Sequence, residues 1–212
     1  MCSVKNKSTV PSKPFILVME GVDFSGKTTL AQKIKELLVK QHYRVKLLHD
    51  PKGSSHAKLI WETILTLKKQ GGNVATEFFL FLAARNELIH QEALVEEVDV
   101  VIFDRFIFST VAYQLTHKPD TWELFLKIHR SFSGLMPDLC LYCDIDFNTF
   151  EQRRQHRSKK DAFDALSQDQ FNAIQAAYEA VLNLQWSPSF HIHTPYEMTQ
   201  VMEGVFNYLV KN

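Results

Sequence analysis

The stretch FILVMEGVDFSGKTT, residues 15–29, decides the fold of this chain. It begins with a run of apolar residues bounded by Pro14 and Gly21, which is typical of a strand buried on both faces of a sheet. Farther along, apolar residues recur at the spacing of one helix face, at Leu30, Ile34, Leu37 and Leu38. The pattern therefore predicts a buried strand, a turn that contains glycines, and then a helix.

The turn carries the phosphate-binding pattern G-x-x-x-x-G-K-S/T, completed by Gly21, Gly26, Lys27 and Thr28. In such a loop, successive backbone N–H groups wrap a phosphate, and side chains in place of the glycines would block that approach. Lys27 offers a positive charge to the outer phosphates, and the Thr28 hydroxyl can bind Mg²⁺. The residues expected to bind ATP are Gly21, Val22, Asp23, Phe24, Ser25, Gly26, Lys27, Thr28 and Thr29. No N-K-x-D guanine-reading motif follows, so we do not expect a GTPase.

Four further apolar runs predict strands, at residues 44–49, 98–105, 139–145 and 190–194. Helical stretches of ten or more residues separate the strands, which predicts an α/β fold with about five parallel strands and helices on both faces of the sheet. Ligands of such sheets bind at the carboxyl ends of the strands. Polar residues follow the apolar runs there, at Asp50, Asp104, Arg105 and Asp144.

The composition argues against several classes of protein. The 212 residues include 24 Lys and Arg against 24 Asp and Glu, and the isoelectric point is about 7.1. No sequence-wide positive field exists to attract nucleic acid or a membrane surface, and no run approaches the roughly 18 apolar residues of a membrane helix. Three cysteines cannot make a disulfide framework, so we expect a cytoplasmic protein. Residues 1–13 are polar and predict a flexible tail before one domain, residues 14–212.

Taken in order, several motifs resemble the thymidylate kinase family: EGVDFSGKTT, DPKG, FLFLAAR, DRFIFSTVAYQ and PDLCLYCD, followed by the stretch from Asp144 to Asp164. The resemblance covers most of the chain from Phe15 onward. It implies a P-loop kinase fold with a helical lid at about 152–165, phosphorylation of dTMP to dTDP by ATP with Mg²⁺, and a homodimer. The run Phe78 to Leu82 exceeds what one helix face can hold, so this helix is expected to be buried on several sides or to lie in a subunit contact.

The resemblance also implies a role for each matching residue. Phe81 stacks on the thymine, Tyr113 crowds a 2′-hydroxyl, and lid arginines cover the transferring group because Phe24 of the phosphate loop carries no charge. The expected catalytic residues are Asp23, Lys27, Arg105, Arg153 and Arg157. The residues expected to bind the acceptor are Asp23, Asp50, Phe81, Arg85, Arg105, Ser109, Thr110, Tyr113 and Gln114. Those expected to hold Mg²⁺, directly or through water, are Thr28 and Asp104.

Several positions depart from the family pattern, and two other functions stay open at this point. His49 and Asp50 stand for the Arg and Glu of T-R-E-P-G-G, Trp61 stands where many members carry Arg, and Ala162 replaces an Arg of the lid. A deoxynucleoside kinase would need a carboxylate to activate a hydroxyl, for which Asp50 is the candidate. A non-catalytic nucleotide sensor would need the phosphate loop but not the lid arginines. Two patterns are not interpreted as metal sites: Cys140 and Cys143 in one strand, where they face opposite ways, and His191 with His193.

Overall fold

The structure, a computed structural model, describes residues 13–94, 97–156 and 166–210. Residues 1–12 of the predicted tail and 157–165 of the predicted lid, including Arg157 and Ala162, lie outside the described residues. The strands are β1 Phe15–Glu20, β2 Val45–His49, β3 Val100–Asp104, β4 Leu139–Asp144 and β5 Ser189–His193. The helices are α1 Lys27–Lys40, α2 Ser55–Lys69, α3 Val74–Leu88, α4 Ile107–Gln114, α5 Trp122–Phe132, α6 Phe147–Gln155, α7 Gln168–Asn183 and α8 Met198–Leu209. Within the described ranges, no helix is long and apolar enough to cross a membrane.

The five strands form one parallel sheet in the order β2-β3-β1-β4-β5, which confirms the predicted fold class. The register pairs Asp104 at the end of β3 with Met19 of β1 on one side and with His49 of β2 on the other. The chain segments that leave β1, β2 and β3 therefore start side by side at one edge of the sheet. This edge is where the functional residues were predicted.

Side chains of the central strand alternate between two hydrophobic layers, as the twofold period of a strand requires. Ile16 and Val18 belong to one layer, and Leu17 and Met19 belong to the other. The same rule separates two cysteines of β4, since Cys140 lies in the first layer and Cys143 in the second. Both are buried free thiols, and the prediction that they face opposite ways is confirmed.

Among the described residues, the aromatic run in α3 is not buried on several sides, so that half of the prediction is wrong. Phe79 is 62% exposed, and Phe78 packs only in part against the first layer. Successive residues of a helix lie about 100° apart, and α3 contacts α2 far more than any other helix. The outward side chains of the run are left at the surface, and the alternative, a subunit contact, stays a prediction.

Candidate active site

A cleft of about 830 Å³ opens at the carboxyl edge of the sheet. Its walls come from the loop after β1 and the start of α1, the segments after β2, β3 and β5, and helices α2, α3, α4 and α6. The cleft brings together most of the residues that the sequence predicted, namely Asp23, Phe24, Ser25, Gly26, Lys27, Thr28, Thr29, Asp50, Phe81, Arg85, Asp104, Arg105, Ser109, Thr110, Tyr113, Gln114 and Arg153. Gly21 and Val22 belong to the loop but do not line the cleft, and Arg157 is outside the described residues.

The phosphate loop has the backbone shape that its glycines allow. Gly21 and Gly26 have φ values of 135° and 94°, and a side chain on Gly21 would meet the Cys143 carbonyl oxygen at 2.3 Å. The buried Lys27 ammonium donates to the Val22 carbonyl at 2.6 Å and to Ser25 Oγ at 3.4 Å. Burial and the nearby Arg105 cation lower the pKa of Lys27 to about 8. The ammonium is thus held in a place where its charge is disfavoured and where a bound phosphate would stabilise it.

Two hard oxygen donors, one on α1 and one on β3, meet beside the loop. Thr28 Oγ1 donates to Asp104 Oδ2 at 2.5 Å, and His49 Nδ1 lies 3.2 Å from the same oxygen. Burial alone would raise the pKa of Asp104, but the hydrogen bond with His49 and the charge of Lys27 outweigh it and hold the pKa well below its usual range. An ionised carboxylate next to a hydroxyl is the donor set that Mg²⁺ prefers, so these residues fit the ion.

Arg105 occupies the centre of the cleft and is held on both sides of its guanidinium group. Its Nη2 donates to Asp23 Oδ1 at 2.5 Å, and its Nη1 donates to the Gly21 carbonyl oxygen at 3.0 Å. The pKa of Asp23 is lowered, because the cations of Arg105 and Lys27 outweigh its burial. The guanidinium carbon also lies 5.2 Å from the centre of the Tyr113 ring, whose hydroxyl donates to Asp23 Oδ2 at 3.3 Å. A charged, oriented arginine therefore faces the phosphate loop.

A second arginine, the buried Arg85 of α3, closes the far end of the cleft. Its Nε donates to Asp50 Oδ2 at 2.6 Å, and its Nη2 donates to the Phe106 carbonyl oxygen at 3.1 Å and to Thr110 Oγ1 at 2.7 Å. Among the described residues, neither Arg85 Nη1 nor Asp50 Oδ1 has a hydrogen-bond partner, although both atoms are buried. Buried polar atoms are nearly always paired, so an unpaired donor and an unpaired acceptor at a cleft wall suit a polar ligand.

Next to this pair lies an aromatic wall. The rings of Trp61 and Phe81 meet edge to face with their centres 6.1 Å apart, and Lys52 Nζ lies 5.5 Å from the centre of the Trp61 ring. Trp61 is one of the departures from the family pattern, and the sequence predicted neither Trp61 nor Lys52 as a ligand-binding residue. A flat face beside a hydrogen-bonding pair is the arrangement that a nucleobase needs.

The arginine of α6 that reaches the cleft is Arg153, whose Nη1 donates to the Phe24 carbonyl oxygen at 2.9 Å. Its neighbour Arg154 pairs with Glu151 at 2.8 Å. Successive residues of a helix point about 100° apart, which accounts for this difference in direction. Arg153 thus brings a cation to the outer side of the phosphate loop.

Three other residues show where sequence reasoning was incomplete. Thr194 and Tyr196 line the cleft but were not predicted, although they follow the last strand and the rule about carboxyl ends could have found them. The same rule pointed to Asp144, which does not line the cleft. Gln175 of α7 donates to its Oδ1 at 2.8 Å.

Comparisons with known proteins agree with the motifs. A family model described as thymidylate kinase matches residues 19–202. A thymidylate kinase of Mycoplasma capricolum is 33% identical over 171 residues, which cover 79% of this chain and 80% of the relative. One of Finegoldia magna is 27% identical over 198 residues, or 92% of this chain and 95% of the relative. The fold is also similar to a crystal structure of thymidylate kinase from Ehrlichia chaffeensis, with a TM-score of 0.68 and 22% identity over 93% of this chain and 98% of the other.

Proposed function

The chain belongs to the thymidylate kinase family, and we propose that the cleft around Lys27 and Arg105 is the place where it transfers a phosphoryl group from ATP to dTMP. The products of this reaction are dTDP and ADP. The observation that carries the proposal is the meeting of a phosphate loop and a fixed arginine in one cleft, joined through Asp23. A phosphate loop alone would serve any nucleotide binder, whereas the second cation provides a place for an acceptor phosphate.

On the donor side, the loop amides and Lys27 bind the outer phosphates of ATP. Thr28 and Asp104 would hold Mg²⁺, which supplies positive charge to the phosphate oxygens when it is bound. Arg153 adds a cation on the outer side of the loop, at the position where the transferring group passes. The work of these residues is to position the donor and to neutralise charge.

On the acceptor side, Arg105 binds the 5′-phosphate of dTMP, and Asp23 keeps the guanidinium turned toward the loop. A phosphate monoester is already an anionic nucleophile near neutral pH, so no general base is required. Asp50, the candidate base of the deoxynucleoside kinase alternative, is instead bound to Arg85, and the family assignment does not favour that alternative.

The base is read by the buried pair at the far end of the cleft. Arg85 Nη1 is a free donor and Asp50 Oδ1 a free acceptor within the described part of the chain, and together they match the O4 and N3–H groups of thymine. Cytosine presents a donor at N4 and an acceptor at N3, which is the reverse order. The orientation of the base in the cleft therefore decides whether this pair binds thymine or cytosine. Phe81 and Trp61 provide the apolar face on which the base stacks.

A comparison of acceptors tests this function. ADP release is measured with ATP and Mg²⁺ and with dTMP, thymidine or dCMP as the acceptor. We expect turnover with dTMP to exceed that with thymidine by at least about a hundredfold, because thymidine has no 5′-phosphate for Arg105 to bind. Faster turnover with thymidine would instead identify a deoxynucleoside kinase. If no acceptor supported ATP-dependent turnover, a nucleotide sensor would be favoured.

We propose a homodimer as well, supported by apolar side chains that α2 and α3 leave at the surface. Leu59 is 64% exposed and Phe79 is 62% exposed. Light scattering at micromolar concentration should report twice the chain mass, and Phe79→Glu should reduce it to that of one chain. A wild-type protein that scatters as a monomer would contradict the proposal. A cytoplasmic location also stays a proposal, supported by the free thiols of Cys140 and Cys143.

A further inference from the structure

The buried carboxylate of Glu20 has no part in the reaction described above. It is the last residue of β1, directly before Gly21 of the phosphate loop, and its side chain is 0% exposed. It does not line the cleft. An ionised carboxylate removed from water costs several kcal/mol unless hydrogen bonds replace its hydration. The contacts that Glu20 makes therefore indicate what it is there to hold.

One carboxylate oxygen of Glu20 caps the first turn of α4 from a distant part of the chain. Its Oε1 accepts the backbone N–H groups of Phe106 at 2.8 Å and Ser109 at 3.2 Å. These are amides that the first turn of a helix leaves without a partner in the helix, and the side chain of Phe106 at the cap position makes no capping bond. The carboxylate thus fixes the start of α4 relative to the end of β1.

The residue between these two fixed points is Arg105, and its backbone is held in an uncommon conformation. Its φ is 71°, in the left-handed region that residues other than glycine seldom occupy. Such a conformation persists when the surrounding structure determines it. The bonds from Glu20 to Phe106 and Ser109 hold the chain immediately after Arg105, so they help to keep the arginine in this conformation.

The other oxygen of Glu20 acts on the guanidinium group of Arg105 through two hydroxyls. Oε2 accepts from Ser109 Oγ at 2.5 Å and lies 3.3 Å from the Tyr178 hydroxyl. The same hydroxyls lie 3.2 Å and 3.3 Å from Arg105 Nη1. Since Nη1 can only donate, the serine oxygen accepts from the arginine and gives its own proton to the carboxylate.

We propose that Glu20 is a positioning residue for the acceptor phosphate, which sets both the backbone and the guanidinium of Arg105 without contacting any substrate. Asp23 holds one nitrogen of the guanidinium inside the cleft, and Glu20, which does not line the cleft, holds the other through Ser109 and Tyr178. The inference rests on the proposed role of Arg105 as a ligand of the acceptor phosphate.

Isosteric substitution with separate KM measurements tests the inference. In Glu20→Gln, the amide nitrogen cannot accept the Ser109 proton, so we expect the KM for dTMP to rise about tenfold or more and kcat to fall. The KM for ATP should change less than about threefold, because Lys27 is not part of this network. Glu20→Asp keeps the charge on a shorter side chain and should recover part of the loss. A purely structural role would lower thermal stability and the active fraction but leave both KM values unchanged.

Asp138→Asn is the matched control. Like Glu20, Asp138 accepts a hydrogen bond from a backbone amide. The donor is the amide of Ile16 in β1, at 2.7 Å, and it lies at the opposite end of the sheet. This change should leave the KM for dTMP unchanged. If Glu20→Gln is folded and its KM for dTMP and kcat stay within twofold of wild type, the inference is wrong.

Two further variants keep the outcome decisive. Should Glu20→Gln fail to fold, Ser109→Ala removes the shorter of the two hydroxyl links and leaves the carboxylate in place, and an unchanged affinity for dTMP in equilibrium dialysis would then refute the inference. Arg105→Met, measured in the same way, separates the two levels of argument. If it does not weaken dTMP binding, the proposed role of Arg105 fails and the inference fails with it. If it does weaken binding while Glu20→Gln and Ser109→Ala do not, only the role of Glu20 is lost.

Discussion

The two ends of the cleft differ in the chemical groups that form them. The donor end consists of loop backbone, the Lys27 ammonium, and Arg153, for which the structure gives one hydrogen bond to the loop. At the acceptor end, two arginines, Arg85 and Arg105, are joined by ion pairs and hydrogen bonds to residues of several other elements. Charges at the donor end can therefore be removed with little effect on folding, whereas charges at the acceptor end also contribute to the packing of the domain.

This difference matches the chemistry of the two nucleotides. Any nucleoside triphosphate presents the same chain of phosphates, which backbone amides and a few cations can bind. An acceptor has to be selected by its base, its sugar and its single phosphate, and selection requires donors and acceptors held in fixed places. The predictions below test whether activity and stability separate in this way along the cleft.

The largest effect is expected for Lys27→Met at the donor end. We expect kcat to fall about a thousandfold, because a cation that stabilises developing charge on phosphate is lost. Without nucleotide, the variant should be at least as stable as wild type at pH 7, because the pKa of Lys27 in the folded protein, about 8, is below its usual 10.5 and the charged form disfavours folding. The difference in melting temperature should shrink between pH 8 and 10.5, where wild type folds with a neutral amine. A variant much less stable than wild type at pH 7 would contradict the comparison.

The opposite behaviour is expected for Arg85→Met at the acceptor end. This change leaves the carboxylate of Asp50 buried without its cation, and we expect a loss of about 3 kcal/mol in the free energy of unfolding at pH 7.5. Burial already raises the pKa of Asp50 above the usual 3.8, and loss of Arg85 raises it further. The loss of stability is complete above this raised pKa, where Asp50 is charged, and it decreases as the carboxylate gains a proton. The difference in the free energy of unfolding between Arg85→Met and wild type should therefore be smaller at pH 5 than at pH 7.5. Urea unfolding at both pH values measures it, and an equal deficit at both would show that Asp50 is not the cause.

Arg153→Ala tests the donor end at its outer side. We expect kcat to fall about a hundredfold with the melting temperature unchanged, since arginines that stabilise phosphoryl transfer contribute far more than surface ion pairs. Arg154→Ala is the matched control, because this arginine pairs with Glu151 on the same helix. Should both variants keep kcat within a few-fold of wild type, Arg157, which lies outside the described residues, becomes the next arginine to change.

The comparison also explains how much of the molecule the sequence could predict. The donor end follows from one continuous stretch, in which the change from strand period to helix period fixes the loop between Glu20 and Lys27. The sheet follows from five apolar runs. The acceptor end depends on contacts between residues far apart in the chain, such as Glu20 with Tyr178 or Arg85 with Asp50, and no local pattern shows which polar side chains will meet.

Two details show the physical limit most clearly. Phe81 is one of five apolar residues in succession, and only the packing of α3 on α2 decides that it faces the cleft while Phe79 faces outward. Glu20 looks in sequence like the polar end of a strand. It is buried because α4 and α7 pack over it, and the local sequence does not show this packing.

The smallest effect is expected for the sugar, and it tests whether the acceptor end selects by shape or by hydrogen bonding. The Tyr113 ring lies against the Arg105 guanidinium, and its hydroxyl donates to Asp23. If the bulk of the ring excludes a 2′-hydroxyl, Tyr113→Ala should raise kcat/KM for UMP relative to dUMP about fivefold, since rejection of an added hydroxyl by shape is a modest effect. Both acceptors lack the thymine methyl group, so their ratio reports on the sugar alone. Tyr113→Phe keeps the ring and removes the hydrogen bond to Asp23, and it should leave the ratio unchanged. A ratio that shifts in Tyr113→Phe as much as in Tyr113→Ala would place the discrimination in the Asp23 network, and a ratio unchanged in both would place it outside Tyr113.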